Sequence, residues 1–304
     1  MKYEDLTQEH LGTKRQRPMF LSEFTKFRAQ LDMSTYPHDP AEYCNYTFLP
    51  TIDEWINDHQ RAWYLGLDNF HIRHTILGVT QQLDELHQLH KNNISVFKGE
   101  YKYHKRLPSF VRELDNRLDI MPGECVIISA PSTITTNLLP DMTKILDYCH
   151  AIDAEVHIDG AWFPQCRDFQ LDVSHPAIKS VSVSLSKAFG MGSQRIGIRY
   201  MREPVVGPIS IMNDYGYQNV SDAWIGVEAI KHFGPDYWWR NYEDKYEQVC
   251  SDFNLDPADS IHVGWRESEM EYVGIRTPLR MLIENKYDER GTDKGLNDVE
   301  RNEE

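Results

Sequence analysis

Positive charge is scarce in this chain of 304 residues: 32 Lys and Arg stand against 47 Asp and Glu, a net charge of −15 at pH 7. That deficit argues against general binding to nucleic acid, which draws its affinity from Lys and Arg neutralising phosphates. Long apolar runs are also missing. No stretch approaches the roughly 20 residues of a membrane-spanning helix, so no membrane partner is expected. The polar opening Met1 to Thr7 carries no secretory hydrophobic segment. Cysteine is sparse, and Cys44, Cys125, Cys149, Cys166 and Cys250 show no paired metal spacing. An odd count without a signal segment predicts reduced thiols and a cytoplasmic protein. The 13 histidines are scattered too. His87 and His90, three apart on a predicted helix, read as a solvated helix face, so no metal site is expected. There is no internal repeat. What remains is a globular composition, 40% hydrophobic and 12% aromatic, in a length that suits one large domain or one large and one small.

The stretch from Ser180 to Tyr200 organises the rest. Val181, Val183 and Leu185 alternate with Ser182, Ser184 and Ser186, the period of a strand with one packed and one polar face. Lys187 stands at its end, followed by Gly190, Gly192, Ser193 and Arg195. Hydroxyls and a guanidinium suit phosphate, and an amine suits a carbonyl, so the group fits a phosphorylated carbonyl compound. An ordinary strand exit with a solvated lysine is the alternative for Lys187 alone; its neighbours favour the first reading.

In chain order, residues 1 to about 45 read as a polar arm with a short helix near Leu21 to Leu31, and residues 51 to 64 as a helix capped by Thr51. Residues 70 to 91 read as a strand, a turn at Gly78 and a helix with Leu83, Leu86 and Leu89 on one face. Gly78, Val79 and Thr80 then sit at a helix N-terminus, where free N–H groups and the dipole favour phosphate. A strand from Ile94 to Gly99 leads to Tyr101, and a helix is predicted over 108–117. Glu124 to Pro131 is a near-continuous apolar run, as in a parallel strand buried on both faces. A helix over 140–150 and a strand ending at Asp159 follow. This alternation predicts an α/β domain with a mostly parallel sheet. Ligands collect outside the carboxyl ends of such strands, and Thr80, Tyr101, Asp159, Ser186, Lys187 and Arg195 would all lie there. Val220 to Asp252 is predicted helical with a break at Gly234-Pro235, and Gly274 to Ile283 a strand. Residues 285–304, almost wholly polar, read as a disordered tail.

Ser184-Leu-Ser-Lys-Ala-Phe-Gly-Met-Gly-Ser-Gln-Arg-Ile-Gly resembles the Ser-x-x-Lys…Arg-x-Gly signature of the fold-type I pyridoxal-phosphate (PLP) enzymes, the class I/II aminotransferase superfamily. Asp159-Gly-Ala-Trp is similar to that family's Asp-x-Ala-Tyr element and stands at the expected distance before the lysine; Gly78-Val-Thr and Glu100-Tyr101 match by position. The resemblance covers roughly residues 65–253 and, more weakly, extends to 283. It implies a three-layer αβα sandwich with a reduced C-terminal small domain. The corresponding divisions are an N-terminal arm and helices over 1–64, a large PLP-binding domain over 65–215, a small domain over 216–284, and the tail.

The resemblance further implies that Lys187 holds PLP as a Schiff base and moves a proton at the substrate α-carbon, while Asp159 pairs with the ring nitrogen. Ser184, Ser186 and Arg195, with Val79 and Thr80, would bind the phosphate, and Tyr101 would stack on the ring. The family's Asn-Pro-x-Gly turn is replaced by Ala130-Pro-Ser-Thr-Ile-Thr-Thr-Asn, in which Ser132 or Asn137 stands in. Trp162 replaces the usual Tyr beside the ring and is expected to pack. Arg276, with Arg280 as alternative, is the candidate for the substrate carboxylate. The implied activity is transamination between an amino acid and a 2-oxo acid in a homodimer, with Asn213 to Tyr217 reaching the partner's site. A PLP lyase or decarboxylase, or a degenerate non-catalytic relative, are the alternatives.

Overall fold

The apolar run ahead of Pro131 becomes a strand at the heart of a seven-stranded sheet. The computed structural model describes residues 2–12 and 18–284; the tail expected over 285–304 lies outside them. The strands are β1 (Ala62–Leu65), β2 (Ile72–Ile76), β3 (Ile94–Phe97), β4 (Val111–Leu114), β5 (Cys125–Ser129), β6 (Glu155–Asp159), β7 (Phe169–Asp172), β8 (Ile178–Ser184), β9 (Gly197–Met201), β10 (Asp256–Pro257), β11 (Val263–Arg266) and β12 (Glu271–Gly274). The helices are α1 (Ser22–Ala29), α2 (Pro40–Tyr43), α3 (Leu49–Asn57), α4 (Val79–His90), α5 (Met142–Ala151), α6 (Pro208–Asp214), α7 (Val220–Phe233), α8 (Tyr237–Asp252) and α9 (Arg276–Glu284).

The large sheet has the order β2-β9-β8-β6-β5-β3-β4. Strands β8, β6, β5, β3 and β4 run parallel; β9 is antiparallel to both its neighbours. Strand direction therefore puts the carboxyl ends of β2, β3, β5, β6 and β8 on one edge. Helices cover both faces, as a parallel sheet requires. On one face Val126, Ile128, Val156, Ile158, Val181 and Val183 belong to the main core with α3, α5 and α7. On the other, Ile94, Val96, Cys125 and Ile127 pack with Val79, Leu83 and Leu86 of α4. Strand β1 pairs in parallel with β7, and β10, β11 and β12 form a separate antiparallel sheet. The mostly parallel α/β sandwich expected from the sequence is the observed fold.

The serine face of β8 is polar but not solvated. Ser180, Ser182 and Ser184 are buried. Gln82 of α4 donates from Nε2 to Ser180 Oγ at 3.0 Å and accepts from the Ser182 hydroxyl. Beside them Arg199 of β9 and Glu85 of α4 form an ion pair with side chains 3% and 2% exposed. Glu85 also accepts from the Ile209 N–H at 2.7 Å, and Arg199 Nη2 meets His74 Nδ1 at 2.9 Å. Nor is the His87 face solvated: His87 is buried, with Nε2 3.1 Å from His104 Nδ1, and His90 is half-buried.

Three elements differ from the sequence reading. Residues 111–114, read inside a helix, form edge strand β4, registered Ile94↔Val111 on β3. Residues 276–284, read as strand, form α9, with Pro278 in its first turn, where a missing N–H costs nothing. The helix expected over 51–64 begins earlier, continuing a π-helical turn over Cys44–Phe48, and ends at Asn57, so Thr51 does not cap it and Trp63 lies in β1.

The N-terminal arm is docked. Met19, Leu21 and Phe24 are buried, and the Phe24 ring lies 5.2 to 5.7 Å from Phe233, Tyr237 and Trp238. It also closes over the loop after Lys187. A Cβ at Gly190, where φ is +60°, would stand 2.7 Å from the Phe24 ring, and one at Gly192 would stand 2.7 Å from Pro18.

Glu85→Leu strands a buried guanidinium and the Ile209 N–H, and is expected to cost about 3–5 kcal/mol in urea unfolding, most of it regained in Glu85→Leu/Arg199→Met. A single-variant loss under about 1 kcal/mol would show that the pair is not dehydrated as described.

Candidate active site

The residues singled out in the sequence converge at the carboxyl edge of the sheet. β2 ends before Gly78, whose φ of +73° turns the chain into α4. The first N–H groups of a helix have no partner within it, and here they face a guanidinium platform. Arg195 Nη2 donates to Thr80 Oγ1 at 2.7 Å, and Nη1 donates to Ser186 Oγ at 3.0 Å and to the Gly192 carbonyl at 3.3 Å. The Arg195 N–H donates to Asp222 Oδ2 at 2.8 Å, and Asn219 Nδ2 holds the same oxygen at 2.7 Å. A Cβ at Gly78 would stand 2.5 Å from Arg195 Nη2, so glycine is what lets the guanidinium lie across the helix start. Val79, buried, opens α4; Ser184, buried, ends β8 opposite Gly197.

Asp159 closes β6 with its carboxylate buried. Burial raises its pKa, while the Lys187 ammonium and the Ala161 N–H, 2.8 Å from Oδ1, pull it down. Lys187 follows β8. Burial lowers its pKa, the neighbouring Arg195 charge lowers it further, and Asp159 opposes both. The Lys187 carbonyl accepts from Gln165 Nε2 at 3.0 Å and Trp238 Nε1 at 3.2 Å, which fixes the backbone that carries the amine. Tyr101 is 45% exposed, stacks on Tyr103 at 5.7 Å, and feels both Asp159 and Arg195. Its ring is thus within electrostatic reach of both charges.

Ser132 is used within its own loop: its hydroxyl accepts from the Ile134 N–H at 2.9 Å. Asn137 braces the same loop to Asp168 and Asp259. Trp162 is buried, and its carbonyl accepts from the Gln165 N–H at 2.9 Å. Arg276 opens α9 instead of standing in a strand, and its charge bears on His262. Asn213 binds its own chain, donating to the Thr75 and Ile209 carbonyls, while Tyr215 and Tyr217 are exposed.

Three further groups were not assigned a role from the sequence. Glu100 is buried beside Asp159. Burial raises its pKa, and it accepts from the Ser129 N–H at 3.0 Å, the Ser129 hydroxyl at 2.7 Å and Thr133 Oγ1 at 3.1 Å. Its position next to Tyr101 was the only signal. Tyr64, in a segment read as helix, donates to the Ala130 carbonyl close to Asp159. His262 is pushed down to about 3 by burial and by the charges of Arg276 and Lys187. It is thus a neutral imidazole, with Nε2 3.4 Å from Gln165 Nε2. Nothing local in the sequence marks it.

No family model matches the chain, and no curated protein matches it in sequence. Solved structures do. A Thermus thermophilus aspartate aminotransferase double mutant is 13% identical over 86% of this chain and 79% of its own, with a TM-score of 0.54. Cystalysin from Treponema denticola, which contains a pyridoxal 5′-phosphate cofactor, is 12% identical over 85% and 77%, with a TM-score of 0.56. A PLP-bound C-S lyase from Staphylococcus hominis, complexed with L-cycloserine, is 10% identical over 93% and 91%, with a TM-score of 0.60. The chain has the architecture of the fold-type I PLP enzymes.

The charges around Lys187 set its titration. In the cofactor-free chain, acylation of Lys187 followed by mass spectrometry is expected to rise with pH through a midpoint below the ordinary 10.5 of lysine. Asp159→Asn removes the anion that favours the ammonium form and should move the midpoint lower; Arg195→Gln should move it higher. A midpoint at or above 10.5 would refute the burial and charge arrangement described.

Proposed function

We propose that the chain is a PLP-dependent aminotransferase that moves an amino group between an amino acid and a 2-oxo acid. The observation that carries this reading is the joint placement of Lys187, Asp159 and Arg195 at one sheet edge. The donor set fits PLP: a guanidinium, two hydroxyls and a helix N-terminus for the phosphate, a buried carboxylate for the pyridine nitrogen, a phenol ring for stacking and an amine for the aldehyde. The missing Cβ at Gly78 is what lets the Arg195 guanidinium lie across the start of α4. When bound, PLP supplies an electron sink for negative charge at the substrate α-carbon.

The chain's own groups do the rest. Arg195, Thr80 and Ser186, with the first N–H groups of α4 at Val79 and Thr80, would hold the phosphate. Asp159 stays ionised when it faces a protonated ring nitrogen, since a buried carboxylate needs a cation. Tyr101 would supply the ring that stacks on the pyridine. Lys187 Nζ, its ammonium form disfavoured, would be the nucleophile for an aldehyde and the base that accepts a substrate α-proton. Arg276, whose charge, like that of Lys187, bears on His262, is the candidate for the substrate carboxylate.

A homodimer belongs to the same reading. It is supported by the apolar, exposed segment at α6, where Ile211, Tyr215 and Tyr217 are 47%, 70% and 73% exposed. Five buried, unpaired thiols support a reducing, cytoplasmic setting. No helix of the described residues is long and apolar enough to cross a membrane.

The deciding measurement is the visible spectrum of the chain reconstituted with PLP. A band that borohydride abolishes, with the cofactor's mass then fixed on Lys187 and no such band in Lys187→Ala, is the expected result. Amino acid alone should convert the cofactor to pyridoxamine phosphate, and a 2-oxo acid should reverse it. Release of ammonia or carbon dioxide without that conversion would replace transamination by a lyase or decarboxylase reaction; absence of the band would leave a non-catalytic scaffold. Arg195→Ala is expected to weaken PLP binding roughly 10- to 100-fold. Arg276→Gln should raise the KM for the amino acid with the cofactor band unchanged.

A further inference from the structure

At the opposite edge of the sheet, three strand residues and the last residue of α4 point into one spot. Cys125 opens β5, and Glu155 and His157 stand on the neighbouring β6, registered Cys125↔Glu155 and Ile127↔His157. Strand alternation puts Cys125, Glu155 and His157 on one face, the face that α4 covers with Leu83 and Leu86. His90 ends α4 directly above them. Ligand atoms of His90, Cys125 and His157 lie within 4.8 Å of one another. Glu155 Oε2 is 4.0 Å from His90 Nε2 and 3.7 Å from His157 Nε2.

His157 supplies the independent sign of a missing ligand. The residue is 5% exposed. Its Nδ1 is bound to Ser180 Oγ at 2.8 Å, which fixes the ring, while the buried Nε2 makes no hydrogen bond and has the Glu155 carboxylate 3.7 Å away, beyond hydrogen-bond reach. A buried ring nitrogen without a hydrogen bond has given up its bond to water and gained none in return. The Ser180 contact on the other nitrogen is the arrangement by which outer groups orient metal-bound imidazoles.

We propose that His90, Cys125, His157 and Glu155 form a zinc site. One thiolate, two imidazoles and one carboxylate are a zinc donor set and complete a tetrahedron without an open position. Ligands around tetrahedral zinc stand about 3.3–3.7 Å apart, given Zn–N near 2.0–2.1 Å and Zn–S near 2.3 Å. Contraction of the present cluster by about 1 Å therefore suffices. The half-exposed side chains of His90 and Glu155, 26% and 44%, give the ion a route in. On binding, the Cys125 S–H bond is replaced by S–Zn and one proton leaves to solvent. The ion joins α4 to β5 and β6 at the far end from Thr80 and Asp159, so its role is structural.

The full chain, stripped with chelator, tests this by competition titration with zinc against a chromophoric chelator. One equivalent bound at sub-micromolar affinity, with release of a proton and a raised melting temperature, is expected. Cobalt(II) in its place should show an intense tetrahedral visible spectrum and a near-ultraviolet thiolate-to-metal charge-transfer band. Cys125→Ser should remove the charge-transfer band, and His90→Gln, at a half-buried position, should lose the equivalent while its circular dichroism stays native. If Cys125→Ser does not fold, His90→Gln alone decides. Unchanged stoichiometry in His90→Gln, or a weak octahedral cobalt spectrum without charge transfer, would overturn the site.

Discussion

The structure turns on how one guanidinium is held. Arg195 reaches Thr80 on α4, Ser186 after β8 and the Gly192 carbonyl, and its backbone N–H is fixed by Asp222 on α7. Three segments distant in sequence are thereby set against each other with donors to spare for an anion. Its charge also reaches Lys187, where it disfavours the ammonium form. Glycine at position 78 is the steric condition for all of this. The Arg195 guanidinium, the Lys187 amine and the Asp159 carboxylate are electrostatically linked, Lys187 feeling both of the others.

The parts of this arrangement visible in the sequence were those carried by local chemistry. Val126 to Ile128 could only be a doubly buried strand, Gly78 before a leucine-striped helix could only be a tight entry, and Lys187 and Arg195 stand eight apart on one strand exit. What stayed hidden depends on partners elsewhere in the chain. The serines of β8 look like a wet face until Gln82 of α4 is placed over them. Val111 and Leu114 have helical spacing, and only the edge of β3 makes them a strand. His262 and Tyr64 reach the site by tertiary folding alone. Pro278, by contrast, is a helix-start signal that the sequence itself carries, in the first turn of α9.

Helix α4 illustrates why polar burial is tolerated here. Along its inner face Gln82 meets two serines, Glu85 meets Arg199, and His87 meets His104. Each pair satisfies most of its donors and acceptors, which is the condition under which a buried polar network holds a helix in one register instead of weakening it. A purely apolar face could slide by a turn. This one cannot slide without breaking an ion pair and several hydrogen bonds together, so the end of the helix that faces Arg195 is positioned from its middle.

The docked arm has a consequence for how the protein is made. Phe24 and Pro18 pack against Gly190 and Gly192, and Phe24 against the α7–α8 aromatics, partners separated from them by over half the chain. The ribosome emits the arm first and its seat late. During synthesis these apolar residues have no native neighbour, and the loop behind Lys187 has no outer wall, until Trp238 has been translated and folded. The last step in building the lysine's surroundings is thus the docking of an arm made well before them.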